Sequence, residues 1–290
     1  MFTSVDFMLS TAAKNGKALW EAIQEDDMAD RSVKAQASWA KMGTLWAAMQ
    51  AAEADYSADR RSPSGLVGGE GAKMAGDGPG LCGPFLRDII GTALKMGECN
   101  ACMRRIVAAP TAGACGVLPA VLLPMKRRYE LSDEVIIQAL YVAAGFGQVI
   151  ASRASIAGAE GGCQAEVGSA SGMAAAAIVH LMGGTAEQMA HACAMALSNI
   201  LGLACDPVAG LVEVPCIKRN VMGASNALSC AEMALSGLVS QIPCDEVIDA
   251  MGAIGSSLPS AIRETGEGGL AATPTGRRVA ELMRSKERAI

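Results

Sequence analysis

Through most of this chain apolar residues recur at helical spacing, and no stretch shows the two-residue alternation of a half-buried strand. Residues 1 to about 58 are richer in charge and hold all three tryptophans, Trp20, Trp39 and Trp46. Their spacing predicts two or three amphipathic helices lying on or beside a main domain. Residues 59–80 break the pattern with Arg60-Arg61-Ser62-Pro63-Ser64-Gly65-Leu66-Val67-Gly68-Gly69-Glu70, which predicts a loop or linker. A helix is expected from about Gly83 to Ala108, stopped by Pro110, which lacks an amide donor and disfavours helix at the residue before it. Ser132 ahead of Asp133 and Glu134 is a helix start, because the hydroxyl caps and the acids suit the dipole. The apolar run Val135–Ile150 that follows is interrupted by Gln138, Gly145, Gly147 and Gln148, so it predicts a buried core helix rather than a membrane span. An Ala-rich helix from about Ser169 should end at Gly183-Gly184. Thr185 with Gln188 makes a capping-box pattern opening a helix to about Leu201, and another helix runs from near Asp245 to about Ile254. The fold class is mainly α, divided into an N-terminal helical segment (1–58) and a larger domain (59–290).

Composition narrows the class further. Half of the 290 residues are hydrophobic but only 3% are aromatic, so the apolar surface is mostly Ala, Val, Leu, Ile and Met. That mixture suits helices packed closely through small residues. The net charge of -5 is mild, and the densest basic stretch, Lys126-Arg127-Arg128, reads as a solvated face, which argues against a nucleic-acid partner. Nothing at the N-terminus resembles a secretory signal. Ten cysteines without export point to the reducing cytosol, where thiols bind metals or fill cores.

Three of those cysteines stand apart. Cys163 lies in Gly161-Gly162-Cys163-Gln164-Ala165-Glu166-Val167-Gly168, and Cys205 and Cys216 bracket a segment rich in Gly and Pro. Their spacings fit neither short ferredoxin runs nor paired zinc motifs, so any cluster must be closed by tertiary folding. Their flanks offer free amides near helix ends, which stabilise anionic sulfur. Three thiolates can hold three corners of an iron–sulfur cube and leave the fourth iron open as a Lewis acid. Buried structural cysteines remain the competing reading. Cys99 and Cys102 form a C-x-x-C inside a helical stretch, where core thiols are expected, and Cys82, Cys115, Cys193, Cys230 and Cys244 are expected to pack as small hydrophobes. His180 and His191 both fall mid-helix and read as structural, which leaves a nucleophilic triad without its base. The turn Ala109-Pro110-Thr111-Ala112-Gly113-Ala114-Cys115-Gly116 lets backbone amides approach a ligand and could cradle a carboxylate. It lacks the Gly-Lys-Ser/Thr ending of a phosphate loop.

These residues together resemble the α subunit of the bacterial two-subunit, iron–sulfur-dependent L-serine dehydratases. The resemblance is carried by Ser64-Gly65-Leu66-Val67-Gly68-Gly69, Pro110-Thr111-Ala112-Gly113, the block from Ala154 to Gly168, and Leu201-Gly202-Leu203-Ala204-Cys205-Asp206-Pro207-Val208-Ala209-Gly210. It continues through Pro215-Cys216-Ile217 and Arg263-Glu264-Thr265 to Gly268-Gly269-Leu270-Ala271, spanning about residues 60–276. It implies a helical catalytic domain whose Gly-rich loops enclose a non-redox 4Fe–4S cluster on Cys163, Cys205 and Cys216. The implied reaction removes water from L-serine, giving pyruvate and ammonia. Thr111 and Ser155 would take catalytic roles, and Ser64, Gly65, Asn100, Thr111, Ala112 and Gly113 would bind substrate.

Two departures shape the expectations. Some members end in a cysteine that occupies the fourth iron, whereas this sequence ends Ser285-Lys286-Glu287-Arg288-Ala289-Ile290, which implies an open iron at rest. The family's β domain, with its Ser-His-Thr motif, is not in this sequence, which implies a separately encoded β-type partner and a hetero-oligomer. The alternatives are a family enzyme acting on L-threonine or another β-substituted amino acid, and a non-catalytic iron–sulfur sensor or scaffold with a fourth protein ligand. A pyridoxal-phosphate enzyme would need a Schiff-base lysine in a phosphate cup. Lys73 has only the setting of a surface loop.

Overall fold

The computed structural model describes residues 1–76 and 78–288. Three helices open the chain: α1 (Val5–Lys14), α2 (Leu19–Arg31) and α3 (Ala35–Ala54). Ser4 caps the first through its hydroxyl, which accepts from the Phe7 amide at 3.0 Å. The Asp245 carboxylate accepts from the Val5 and Asp6 amides at 2.8 and 3.0 Å, so a residue far along the chain completes the cap. Among its described residues the segment 55–83 holds a single 3₁₀ turn, Gly71–Met74, on which Lys73 is exposed. Then come α4 (Pro84–Ala101), α5 (Val117–Tyr129), α6 (Asp133–Arg153) and the one-turn α7 (Gly158–Gly161). After a π-helical turn at Gln164–Gly168 follow α8 (Ser169–Leu181), α9 (Ala186–Ser198), α10 (Cys216–Leu235), α11 (Cys244–Ser257) and α12 (Pro274–Glu287). Among the described residues there is no strand, and the mainly α class holds; one isolated parallel bridge joins Cys205 to Arg263.

The centre of the molecule is α8, whose sequence SASGMAAAAIVHL is apolar and small on every side. A helix of that kind is stable only when surrounded. It packs against α6, α9 and α10, and eleven of its residues are buried. The helix α6 is long and apolar enough to cross a membrane, but two thirds of its most apolar window (67%) is buried within the protein, as a core helix requires. The three N-terminal helices lie against it and share its core. Trp46 is buried and donates through Nε1 to Asp133 at 2.7 Å, and the Tyr141 hydroxyl meets Ser38 Oγ at 2.6 Å.

The expected starts at Ser132 and Thr185 are present, with both halves of the capping box formed at Thr185 and Gln188. Four expectations need correction. The helix beginning at Pro84 ends at Ala101, seven residues before Ala108, because Met103 turns into the left-handed region (φ 59°) and the chain then runs without regular structure to Pro110. Cys102 is therefore the helix cap, outside the helix that holds Cys99. His180 sits in the last turn of α8 rather than mid-helix. Cys82 lies half-buried in the loop before α4, whereas Cys115, Cys193, Cys230 and Cys244 are buried as expected. The chain's last two residues, Ala289 and Ile290, which bear on the expected absence of a closing cysteine, lie outside the described residues.

Candidate functional site

Three segments from distant parts of the sequence bring Cys163, Cys205 and Cys216 together. Cys163 follows Gly162, whose backbone is left-handed (φ 75°); a side chain there would also sit 2.8 Å from the Leu203 carbonyl oxygen. The π-turn that begins at Gln164 lets the backbone widen beside the cysteine, a device common at functional sites. Buried Gln164 then clamps the neighbouring segments: its amide donates to the Met251 carbonyl at 3.0 Å, and its carbonyl accepts from the Gly202 amide at 2.8 Å. That clamp fixes the approach of the chain to Cys205. Cys205 is held by its main chain, donating to Ile262 at 2.8 Å and accepting from the Glu264 amide at 2.7 Å. Cys216 is the first residue of α10.

Buried polar side chains lock this arrangement. Asn220 accepts from the Gly116 amide at 2.8 Å and donates to the carbonyls of Gly113 at 2.8 Å and Cys216 at 2.9 Å. One side chain thus ties the Thr111–Gly116 turn to the start of α10. Arg219 donates to the Ala204 carbonyl and to Asp206 Oδ1, each at 2.8 Å, and reaches the Cys163 thiol. Asp206 Oδ2 also accepts from the Leu270 amide at 2.8 Å, which pins the 260–273 segment behind Cys205.

Burial pushes the Cys163 thiol up to about 11, against an opposing pull from Arg219. Burial, with Cys163 and Glu166 nearby, pushes Cys216 up to about 12. Cys205 is raised by burial first, then by Glu166, Cys163 and Cys216. The three thiols therefore feel one another, and each is held protonated until something replaces its proton, as metal binding does. Glu166 lies among them, with Oε2 3.8 Å from Cys205 Sγ; burial raises its carboxyl above the usual carboxylate range.

The expected substrate residues fall into two groups. Thr111 stands beside Glu166, its hydroxyl shut off from solvent and turned toward that carboxyl, which it steadies in the charged form. Asn100 donates to the Ala112 carbonyl at 3.1 Å, and Asn100, Ala112, Gly113 and Cys216 share a narrow crevice. The Ser64–Gly65 turn hangs from Glu213, a buried carboxylate three residues before Cys216 that accepts from Ser62 Oγ at 2.6 Å and from Ser64 Oγ. Ser155 donates to Glu160 at 2.6 Å and lines a cavity of about 590 Å³ with Arg153, Ser256, Ser260, Arg263 and, on either side of Cys163, Gly161 and Ala165.

A four-iron cube fits this donor set. Among the described residues no three donors gather tightly enough to hold a single metal ion. A cube would ask for one thiolate per corner instead, and Cys163, Cys205 and Cys216, each of whose thiols is raised in part by another of the three or by Glu166, are the thiols this part of the fold offers it. Glu166, Glu213, Asn220 and Arg219 escape a sequence reading. A carboxylate at 166 inside a run of Gly, Ala and Val was a usable signal, because such a charge is costly to bury without a purpose. Nothing local marks the other three.

A family model described as serine dehydratase alpha chain matches residues 14–271. A probable L-serine dehydratase alpha chain of Bacillus subtilis (strain 168) is 58% identical over 219 residues, covering 74% of this chain and 73% of that protein. A probable L-serine dehydratase alpha chain of Latilactobacillus sakei is 59% identical over 192 residues, 66% of this chain and 92% of the other. The L-serine dehydratase alpha chain of Peptoniphilus asaccharolyticus is 49% identical over 207 residues, 71% of each.

Proposed function

The chain belongs to the serine dehydratase alpha-chain family, and on that premise we propose that it is the cluster-bearing subunit of an enzyme converting L-serine to pyruvate and ammonia. The reading is supported by the hydrogen bonds through which Gln164, Arg219 and Asn220 draw the segments of Cys163, Cys205 and Cys216 toward the Thr111–Gly113 turn. Those three thiols would hold a 4Fe–4S cluster. Bound there, the cluster would supply Lewis acidity to ease the departure of hydroxide and the build-up of negative charge at the substrate carboxylate.

The chain's own residues do the positioning. The Thr111 hydroxyl and the amides of the Thr111–Gly113 turn face the carboxylate, with Asn220 and Asn100 holding that turn in place. The Ser64–Gly65 turn closes the other side through Glu213. Ser155 keeps the segment ahead of Cys163 in shape through its bonds to Glu160 and the Ala157 amide. Loss of water from L-serine leaves an enamine, which tautomerises and hydrolyses to pyruvate and ammonia. Removal of the Cα proton needs a base. His180 sits at the far end of α8 from Cys163, and His191 lies in α9 beside a different cavity. A β-type partner supplies that base in this reading, as the "alpha chain" names of the relatives suggest, and a reducing cytosol is the compartment it requires.

The test is a Mössbauer spectrum of the full chain reconstituted anaerobically with iron-57, with and without L-serine, beside its β partner. One iron of four should shift when serine is added. Four irons indifferent to serine would overturn the dehydratase reading in favour of a sensing or structural cluster.

A further inference from the structure

L-Serine carries three polar groups, and the residues above account for two of them. The carboxylate faces the Thr111–Gly113 turn and the hydroxyl is the leaving group, which leaves the ammonium without a partner. Glu166 is the acid at the centre of the site. A methyl placed on Gly113 would lie 3.2 Å from its Oε1, and one on Gly158 would lie 2.7 Å from its Oε2 and 2.9 Å from Cys205 Sγ. Both oxygens thus lie against the bare backbone of a glycine, and a side chain at 158 would push the carboxylate aside. No Lys, Arg or His among the described residues makes an ion pair with it. Arg219 is engaged by Asp206 at 2.8 Å, and Arg263, whose backbone bridges Cys205, donates to the Glu160 carbonyl at 3.4 Å. A half-buried carboxylate whose side-chain neighbours are the Cys205 thiol and the Thr111 hydroxyl, both neutral, is short of a positive charge.

We propose that Glu166 receives the substrate ammonium, so that the site selects α-amino acids over the corresponding hydroxy acids. The inference rests on the dehydratase reading and names the group that sets its substrate class. A charge-assisted hydrogen bond in a desolvated site discriminates strongly, because a ligand lacking the donor leaves the carboxylate unpaired.

The experiment compares L-serine with L-glycerate, which has hydroxyl in place of ammonium. Dissociation constants are measured calorimetrically on the anaerobically reconstituted complex for wild type, Glu166→Gln and Glu166→Asp. Glu166→Gln should bind L-serine about 30-fold more weakly or worse, with L-glycerate unchanged or tighter. Glu166→Asp, which keeps the charge, should retain a preference for L-serine. Iron and sulfide per chain should match wild type in both variants.

Equal losses for both ligands, or no loss for either, would overturn the assignment while leaving serine binding by the wild type intact. Loss of iron from Glu166→Gln would also overturn it, making Glu166 part of the cluster's support. A wild-type complex that binds neither ligand would take the dehydratase reading down as well.

Discussion

The interior around α8 and the loops around the three thiols are built on opposite principles. In the interior, small apolar residues let α6, α9 and α10 close on α8, and the backbone bonds are satisfied within each helix. Around the thiols the chain is irregular, and side chains do what helix geometry does elsewhere. Asn220, Gln164, Glu213 and the Arg219–Asp206 pair each join segments far apart in sequence. Burying such groups costs free energy unless every partner is present, so the loops are specified by a few side chains acting together. A local change in the interior costs stability without reaching the thiols, whereas the loops are fixed or lost as a unit.

The largest expected effect separates cysteines by region. Cys216→Ser should abolish cluster assembly and activity, whereas Cys102→Ser should leave iron content untouched, since Cys102 caps α4. Iron and sulfide per chain after anaerobic reconstitution measure this, and equal retention in both variants would make the ligand assignment wrong. The same geometry predicts that activity disappears in air, because an iron without a protein thiolate is the first to leave on oxidation.

Next in size is a crossed pair. Leu122, buried in α5, should cost about 2–5 kcal/mol when truncated to Ala, through its cavity, with iron content unchanged. Asn220→Ala strands a buried amide and two carbonyls, which should cost about 2–4 kcal/mol. It should also lower iron affinity by ~10–100-fold, as loss of a support to a metal ligand does. Urea midpoints and iron titrations read the two effects apart. Iron loss that merely tracks stability in both variants would erase the distinction between interior and loops.

The same division governs what could be read in the sequence. Ser132 and the Thr185–Gln188 pair announce helices through local chemistry, and the structure forms both caps. The Gly162–Cys163 block and the Cys205–Cys216 bracket were conspicuous for a similar reason: left-handed and tightly approached backbone demands glycine where it occurs. The helix α5 was hidden because Pro124 lies within it, against the local rule for proline, and its burial overrides the lost bond. The end of α4 at Ala101 was invisible because Met103 adopts a left-handed turn without being Gly or Asn. Asn220 reaches a partner 107 residues away and Glu213 one 151 residues away, and no window of sequence contains such pairs.

A smaller effect tests how the N-terminal helices are joined to the interior. Trp46→Phe keeps most of the buried ring and removes the hydrogen bond to Asp133. The expected cost is about 1 kcal/mol with no change in iron content, measured by urea unfolding. A change in cluster content would mean that α3 communicates with the loops across α6.

The smallest effect concerns protons in the interior. Burial alone pushes the His180 imidazole below its ordinary value, because the charged form is poorly solvated at the end of α8. The unfolded chain therefore binds a proton that the folded chain refuses. Stability is intact above the ordinary histidine value of about 6.5 and falls as pH drops from there toward the depressed folded value. The slope for one group cannot exceed about 1.4 kcal/mol per pH unit, and it vanishes below the folded value, where both states are protonated. His180→Gln should remove this dependence. Between pH 7.5 and 5.5 the urea midpoint of the wild type should fall further than that of the variant. Equal slopes would mean that the imidazole is solvated at the end of α8, and a steeper slope in the variant would mean that a neighbouring acid stabilises the imidazolium. Either result would place the end of α8 with the polar loops rather than with the apolar interior.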